Sequence, residues 1–91
     1  MLNLKTTGQF RRDRKKAAKS GAPMHLLDEV LQTLCEQKPL DAKHNDHALK
    51  GNYRGMRECH IRPDWLLIYS VDKGNLILTA IRTGSHSELF E

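Results

Sequence analysis

Five histidines lie in a chain of only 91 residues, and three of them stand near other side chains that could handle protons or phosphates. His60 precedes Asp64 by four positions, and Arg82 precedes His86 by the same interval. His47 lies upstream of both pairs. Histidine can take up or release a proton near pH 7, and arginine presents permanently charged, planar donors to phosphate oxygens. The two pairs therefore suit acid–base chemistry, provided that the fold brings them together.

The second half of the chain has the pattern of three consecutive strands. Residues 53–61 alternate, residues 65–71 are almost continuously apolar as in a central strand, and residues 76–82 are rich in Leu, Ile and Thr. Residues 72–75 have the composition of a hairpin turn. In the first strand, one face is predicted to carry Tyr53, Arg57, Cys59 and Ile61, and the other Met56, Glu58 and His60.

This meander predicts where the chemically useful side chains meet. Successive strands run antiparallel, so the end of one strand and the start of the next share a rim of the sheet. His60, Asp64 and Trp65 should therefore lie at one rim. Arg82 and His86 leave the third strand at that same rim. His25 and His44 have no such argument and are expected on the surface.

The first half of the chain indicates two helices. Residues 2–6 have the alternation of a short edge strand. Residues 9–20 contain no Gly, Pro or β-branched residue and predict an amphipathic helix, and a second apolar repeat runs from Pro23 to about residue 37. Residues 40–52 read as a loop, and residues 85–91 as one helical turn. The order β-α-α-β-β-β predicts one α+β domain over residues 1–91, with a helical hairpin on a small twisted, largely antiparallel sheet.

Composition and charge narrow the classes of partner. The apolar fraction is 38% and the aromatic fraction 5%, which predicts a small, mostly aliphatic core. The formal charge is polarised, with +6 across residues 1–22 and −3 across residues 23–49. This pattern suits the binding of a polyanion or of an acidic protein. The basic residues of the first helix could equally form only a solvated face. No membrane span or signal core is evident, so we expect a cytoplasmic protein, and Cys35 and Cys59 are expected to be buried free thiols.

Three spaced segments resemble the YafQ branch of the RelE/ParE toxins of bacterial toxin–antitoxin systems. They are Asp-His-Ala-Leu-Lys-Gly at residues 46–51, Glu-Cys-His-Ile-Arg-Pro-Asp-Trp-Leu-Leu-Ile-Tyr at 58–69, and Arg-Thr-Gly-Ser-His-Ser-Glu-Leu-Phe at 82–90. The resemblance covers nearly the whole chain. It implies a ribosome-dependent endoribonuclease that cuts mRNA without a metal or other cofactor. It also implies inhibition by an acidic antitoxin encoded nearby.

The resemblance also implies which residues act. The family's functional positions fall on His47, His60, Asp64, Arg82, His86 and Phe90. Metal-free RNA cleavage needs a base for the 2′-OH, an acid for the leaving oxygen and a cation for the phosphate. We expect His86 to be the acid, Arg82 the cation, either His60 or Asp64 the base, and His47 to orient the phosphate. Lys50, Arg54 and Arg57 are expected to contact mRNA or ribosomal RNA, and Trp65 could stack on a base.

Simpler roles compete with these assignments. Asp64 could cap a turn, Trp65 and Phe90 could be packing residues, and Arg82 could form an ordinary ion pair at a strand end. Three other functions also remain open. One is a ParE-like toxin that acts on DNA gyrase, and another is a non-catalytic RNA-binding module. The third is a zinc hydrolase, whose ligands would be His47, His60, His86 and Asp64.

Overall fold

The computed structural model describes residues 1–90, and this part of the chain contains five strands and three helices. The elements are β1 (Asn3–Thr6), α1 (Gly8–Lys19), α2 (Met24–Cys35), β2 (His47–Ala48), β3 (Arg57–Arg62), β4 (Trp65–Asp72), β5 (Ile77–Gly84) and α3 (His86–Phe90). Two short 3₁₀ turns, Ala42–His44 and Gly51–Tyr53, interrupt the segment between α2 and β3. Glu91, the last residue of the predicted C-terminal turn, lies outside the described residues.

The sheet has the strand order β1-β5-β4-β3-β2. Only β1 runs parallel to its neighbour, and β2 through β5 pair antiparallel. The predicted α+β class and the edge position of β1 are confirmed. Strand β2 was not predicted, because its two residues lie in a polar segment with no alternation, and pairing with Arg57 and Glu58 alone defines it.

The helical hairpin covers one face of the sheet, as predicted. Helix α1 begins after Thr7, whose side chain accepts a hydrogen bond from the Phe10 N–H at 2.9 Å, a typical N-cap. Phe10 is buried, and so are the apolar residues on one side of α2. The main core joins these helices to the sheet, through Leu2, Phe10, Leu27, Val30, Leu31, Cys35, Cys59, Ile61, Trp65, Leu67, Tyr69, Leu78 and Ala80. Both cysteines are free and buried, as expected.

The opposite face carries a smaller apolar cluster of Leu66, Ile68 and Leu89, against which Leu49, Tyr53, Met56 and Ile81 pack. The prediction that Tyr53 shares a face with Cys59 is therefore wrong. Tyr53 ends a 3₁₀ turn flanked by Gly51 and Gly55, which have positive φ angles of 67° and 88°. These left-handed residues turn the chain before β3 begins.

Beyond the end of β1, the N-cap residue of helix α1 hydrogen-bonds to the edge of β5. The Thr7 N–H donates to the carbonyl of Ala80, and the Thr7 hydroxyl donates to that of Ile81 at 2.6 Å. Ile81 lies at a register shift between β4 and β5. The consequence is that side chains of α1 reach the last residues of β5. Within residues 1–90, no helix combines the length and apolar character that crossing a membrane requires.

Candidate active site

Four side chains with groups that could handle protons or phosphates share the face of the sheet opposite the helical hairpin. They belong to His47, Glu58, His60 and Arg82. His47 lies opposite Glu58, Glu58 opposite Ile68, and Ile68 opposite Arg82. His60, two residues beyond Glu58, points to the same face because strand side chains alternate. Adjacent strands are about 4.8 Å apart, so the row from β2 to β5 is about 14 Å wide.

Glu58 lies between two of the histidines and was not predicted to be part of the site. Its side chain is only 6% exposed, and its Oε1 atom is 3.5 Å from Nε2 of both His47 and His60. Such a carboxylate can pair with either imidazole when that ring is protonated. The sequence signal was its alternation with His60 on one strand face, but the contact with His47 depends on the unpredicted strand β2.

Asp64 and His86 meet at the predicted rim. The Asp64 Oδ1 atom accepts a hydrogen bond from the backbone N–H of His86 at 3.1 Å. Asp64 therefore holds the first residue of α3, as a capping carboxylate does at a helix N-terminus. The capping role that competes with catalysis is thus present, although the capped element is α3 rather than the turn after Pro63.

Helix α3 places two aromatic rings beside each other over the small cluster. The centroids of His86 and Phe90 are 4.9 Å apart, and Phe90 meets the edge of Tyr53 at 5.5 Å. The Tyr53 hydroxyl donates to the carbonyl of Leu89 at 3.2 Å, while the Leu89 side chain is buried. Phe90 packs against these rings and remains 36% exposed, so part of its surface faces solvent.

Arg82 is held by a carboxylate from α1. Its Nε and Nη2 atoms donate to the two carboxylate oxygens of Asp13 at 3.1 and 3.0 Å. Asp13 also accepts from the backbone N–H of Thr83 and from the side chain of Gln9. Burial acts to raise the pKa of Asp13, but the hydrogen bonds from Arg82, Gln9 and Thr83 outweigh it and lower that pKa. Arg82 therefore forms the ion pair that the sequence analysis considered as an alternative to a phosphate-binding role.

The residues expected to bind RNA are distributed more widely. Lys50 and Arg54 are exposed on either side of the turn that carries Tyr53. Arg57 lies on the hairpin side of the sheet, where its Nε is 3.3 Å from the Asp46 carboxylate, which also accepts from the Tyr69 hydroxyl at 2.6 Å. The structure thus does not bring Arg57 together with the histidines.

Trp65 is 8% exposed, and its indole N–H donates to the Thr83 hydroxyl at 3.0 Å. It belongs to the main core, yet it also lines a groove of about 720 Å³ at the rim. The groove is bounded by the turn between α1 and α2, the turn between β3 and β4, and the start of α3. A base-binding role for Trp65 stays a prediction.

The other two histidines differ from each other. His25 is exposed on α2, as expected. His44 was also expected on the surface but is half-buried, and its Nδ1 donates to the carbonyl of His60 at 2.6 Å. It therefore supports the backbone of β3. Within residues 1–90, no three His, Cys, Asp or Glu side chains are arranged to hold a metal ion.

Known proteins are similar to this chain in fold and sequence. The family described as the bacterial toxin of type II toxin–antitoxin systems, YafQ, matches residues 2–91. The mRNA interferase toxin YafQ of Escherichia coli K12 is 38% identical over 90 residues, which cover 97% of this chain and 95% of that protein. A metal-bound toxin from Helicobacter pylori is 43% identical, with a TM-score of 0.94 over 99% of this chain and 100% of its own.

A structure of the E. coli DinJ–YafQ toxin–antitoxin complex also matches, with 35% identity and a TM-score of 0.89 over 99% of this chain and 98% of that chain. The family match spans nearly the whole chain, and the identities to these relatives extend over complete domains rather than isolated motifs. The strand pairing also brings the ends of the segments 58–64 and 82–86 to one rim of the sheet, as the antiparallel order predicted. The chain therefore belongs to the YafQ family of bacterial type II toxin–antitoxin toxins.

Proposed function

We propose that this chain is an mRNA interferase, a ribosome-dependent endoribonuclease that inhibits translation in the cytoplasm. The observation that carries the proposal is the placement of His47, His60, Arg82 and the His86 helix on one open side of the sheet, in a member of the YafQ family. A gyrase-directed toxin would have no need for two histidines on either side of one carboxylate, on the same face of the sheet as an arginine.

In the proposed reaction the 2′-OH of the RNA attacks the adjacent phosphorus, and the 5′-oxygen leaves. His86 protonates the leaving oxygen and Arg82 stabilises the charge that develops on the phosphate. His60 is favoured over Asp64 as the base that removes the 2′-OH proton. Glu58 can stabilise the imidazolium that forms on His60, whereas one Asp64 oxygen is occupied by the His86 N–H. His47 orients the phosphate from the other side of Glu58.

The proposed partners follow from charge and from the relatives. YafQ of E. coli forms a complex with DinJ, and we propose that an acidic antitoxin encoded nearby binds this chain in the same manner. The formal charge of +6 across residues 1–22 would attract both such a chain and the phosphates of ribosomal RNA. We propose that Lys50 and Arg54, which are exposed beside the site, contact the mRNA backbone.

The test is expression of the chain without an antitoxin, followed by primer extension on a translated message. Discrete cuts inside the coding region are expected, and they should vanish when translation is blocked. The upstream fragment should end in a 2′,3′-cyclic phosphate, because the 2′-OH is the nucleophile. Cleavage by purified protein on ribosomes should persist in a chelator of transition metals, at a Mg²⁺ concentration that keeps the ribosomes intact.

The variant His86→Ala should lose ~10²-fold or more in cleavage rate, as expected for removal of a positioned acid. His25→Ala is the matched control, because His25 is exposed on α2, and it should cut at the wild-type rate. Equal cutting of free and ribosome-bound RNA would reject the ribosome requirement. A 3′-OH on the upstream fragment, or loss of activity with the chelator, would reject the metal-free mechanism. DNA damage without RNA cuts would favour gyrase as the target.

A further inference from the structure

Helix α3 carries His86 but cannot be stable by itself. It has five residues, and isolated helices shorter than about 12 residues are marginal in water because nucleation is costly. Its position must therefore come from contacts with the rest of the chain. Leu89 anchors its C-terminal part in the small cluster. A different residue, Glu88, makes most of the polar contacts at its N-terminal part.

Glu88 and Ser85 bond to each other reciprocally. The Ser85 backbone N–H donates to Glu88 Oε1 at 2.8 Å, and the Glu88 backbone N–H donates to the Ser85 hydroxyl at 3.2 Å. The sequence Ser-His-Ser-Glu at residues 85–88 is thus a capping box, which satisfies two backbone donors at once. His86 is the first residue inside this box, so the box fixes the backbone from which its side chain extends.

The second carboxylate oxygen of Glu88 connects α3 to α1. Lys16 Nζ lies 2.6 Å from Glu88 Oε2, and Lys16 follows Asp13 by one turn on the side of α1 that faces β5 and α3. The Lys16 hydrogen bond, followed by those from Ser85, lowers the pKa of Glu88 to about 2. Glu88 is therefore ionised at neutral pH, with each oxygen holding a different element.

The carboxylate also fits closely against the end of β5. A Cβ atom added at Gly84 would lie 3.1 Å from Glu88 Oε1 and 3.5 Å from Leu89 Cδ2. A side chain at residue 84 would therefore displace the Glu88 carboxylate by a few tenths of an ångström. The absence of a side chain at Gly84 leaves room for this carboxylate beside the end of β5.

We propose that Glu88 is a positioning residue for RNA cleavage, because its carboxylate caps α3 and ties it to Lys16, and thereby fixes the His86 imidazole at the site. The inference rests on the proposed nuclease function. Glu88 itself touches none of the reacting atoms. Its loss should lower the rate of the chemical step and leave RNA binding unchanged.

Three substitutions separate the two bonds of Glu88. Glu88→Ala removes both the cap and the bridge, and should slow single-turnover cleavage of ribosome-bound mRNA by ~10-fold with little change in KM. Glu88→Gln keeps an acceptor for the Ser85 N–H and removes the charge, and Lys16→Met removes only the bridge. These two should slow cleavage by only ~2- to 3-fold, because an exposed ion pair contributes little.

Two controls alter similar side chains away from α3. Glu29→Gln removes an exposed carboxylate on α2, and Lys73→Met removes an exposed lysine in the turn between β4 and β5. Both should cleave at the wild-type rate. Urea unfolding of each variant checks that the bulk of the fold is retained, since α3 lies at the edge of the structure.

A second readout does not depend on activity. In NMR spectra of the free protein, Glu88→Ala should shift the ring resonances of His86 and weaken the contact between the His86 and Phe90 rings, while the His60 resonances stay in place. If the wild-type protein cleaves RNA and Glu88→Ala cleaves it at the same rate, the proposal is overturned. Unmoved His86 resonances in Glu88→Ala would also overturn it. If the wild-type protein cuts no RNA, the nuclease function fails, and the NMR comparison alone then decides whether Glu88 positions His86.

Discussion

Replacing Asp13 with alanine should destabilise the protein more than replacing any other charged residue on α1. Asp13 accepts bonds from Arg82, from the backbone of Thr83 and from Gln9, and its side chain is only 9% exposed. A buried donor that loses its acceptor costs about 1–3 kcal/mol, and bonds to charged groups contribute about 1.5–3 kcal/mol. Because Arg82 is 27% exposed and can partly recruit water, we expect a total loss near 3 kcal/mol in the free energy of unfolding.

A double-mutant cycle distinguishes the ion pair from general disruption. Arg82→Met keeps the aliphatic stem and removes the charge, so Asp13→Ala combined with Arg82→Met no longer leaves a guanidinium without its partner. The double variant should be about 1–2 kcal/mol more stable than the sum of the two single changes predicts. Urea unfolding at pH 7, monitored by tryptophan fluorescence, measures each free energy, since Trp65 is buried near Thr83.

Asp28→Ala is the control for this cycle. Asp28 lies on α2 and pairs with Arg14 of α1 at 2.8 Å, but its side chain is 57% exposed. An exposed ion pair contributes about 0–1 kcal/mol, so this variant should unfold almost as the wild type does. Equal losses for Asp13→Ala and Asp28→Ala, or strict additivity in the cycle, would refute the view that Asp13 fixes Arg82.

Two further predictions concern acid and thiol chemistry. The pKa values of Asp13 and Glu88 are lower in the folded protein than their usual values of 3.8 and 4.5, so the stability they contribute is present above those values and is lost as the pH falls through the lowered pKa values. Thermal unfolding should therefore show a falling Tm between about pH 5 and 2, and a shallower fall in Glu88→Gln; identical slopes would contradict this. Burial raises the pKa of the Cys59 thiol to about 12, so a thiol reagent at pH 8 should leave it unmodified until urea unfolds the protein. Rapid labelling of Cys59 in the native state would contradict the buried position.

The sequence predicted the strands and their meeting at one rim because those features depend on local pattern and on simple topology. Alternation and an apolar run defined β3 and β4, and the antiparallel order then brought Asp64 to His86. The helical hairpin followed from two apolar repeats and a Gly–Pro break. These signals are short in range, so they survive without any knowledge of side-chain packing.

Strand β2 and the position of Tyr53 depend on contacts that local pattern does not contain. Two residues cannot show a period, and β2 exists only because Arg57 and Glu58 supply its partners. Tyr53 looked like the start of a strand because it alternates with the residues after it. The left-handed backbone at Gly51 and Gly55 breaks that alternation, and a glycine in a sequence does not reveal which sign of φ it takes.

The partners of the site residues were the least predictable feature. Asp13 and Arg82 are 69 positions apart, and nothing in the run of charges on α1 distinguishes the one buried carboxylate from solvated neighbours. Glu58 looked like an ordinary strand residue until β2 placed His47 beside it. Residue types therefore identified which groups could react, whereas tertiary contacts decide which charge each group faces.

The structural contacts of Arg82 and Asp64 bear on the catalytic roles proposed for this site. Asp13 engages Nε and Nη2 of Arg82, whereas Nη1 takes no part in that pair. A guanidinium that is already fixed by a carboxylate needs little reorganisation energy when charge develops on the substrate. Asp64 likewise orients the helix that carries His86. The ion pair and the helix cap are therefore compatible with the proposed catalytic roles of Arg82 and His86, because they hold these two residues in place.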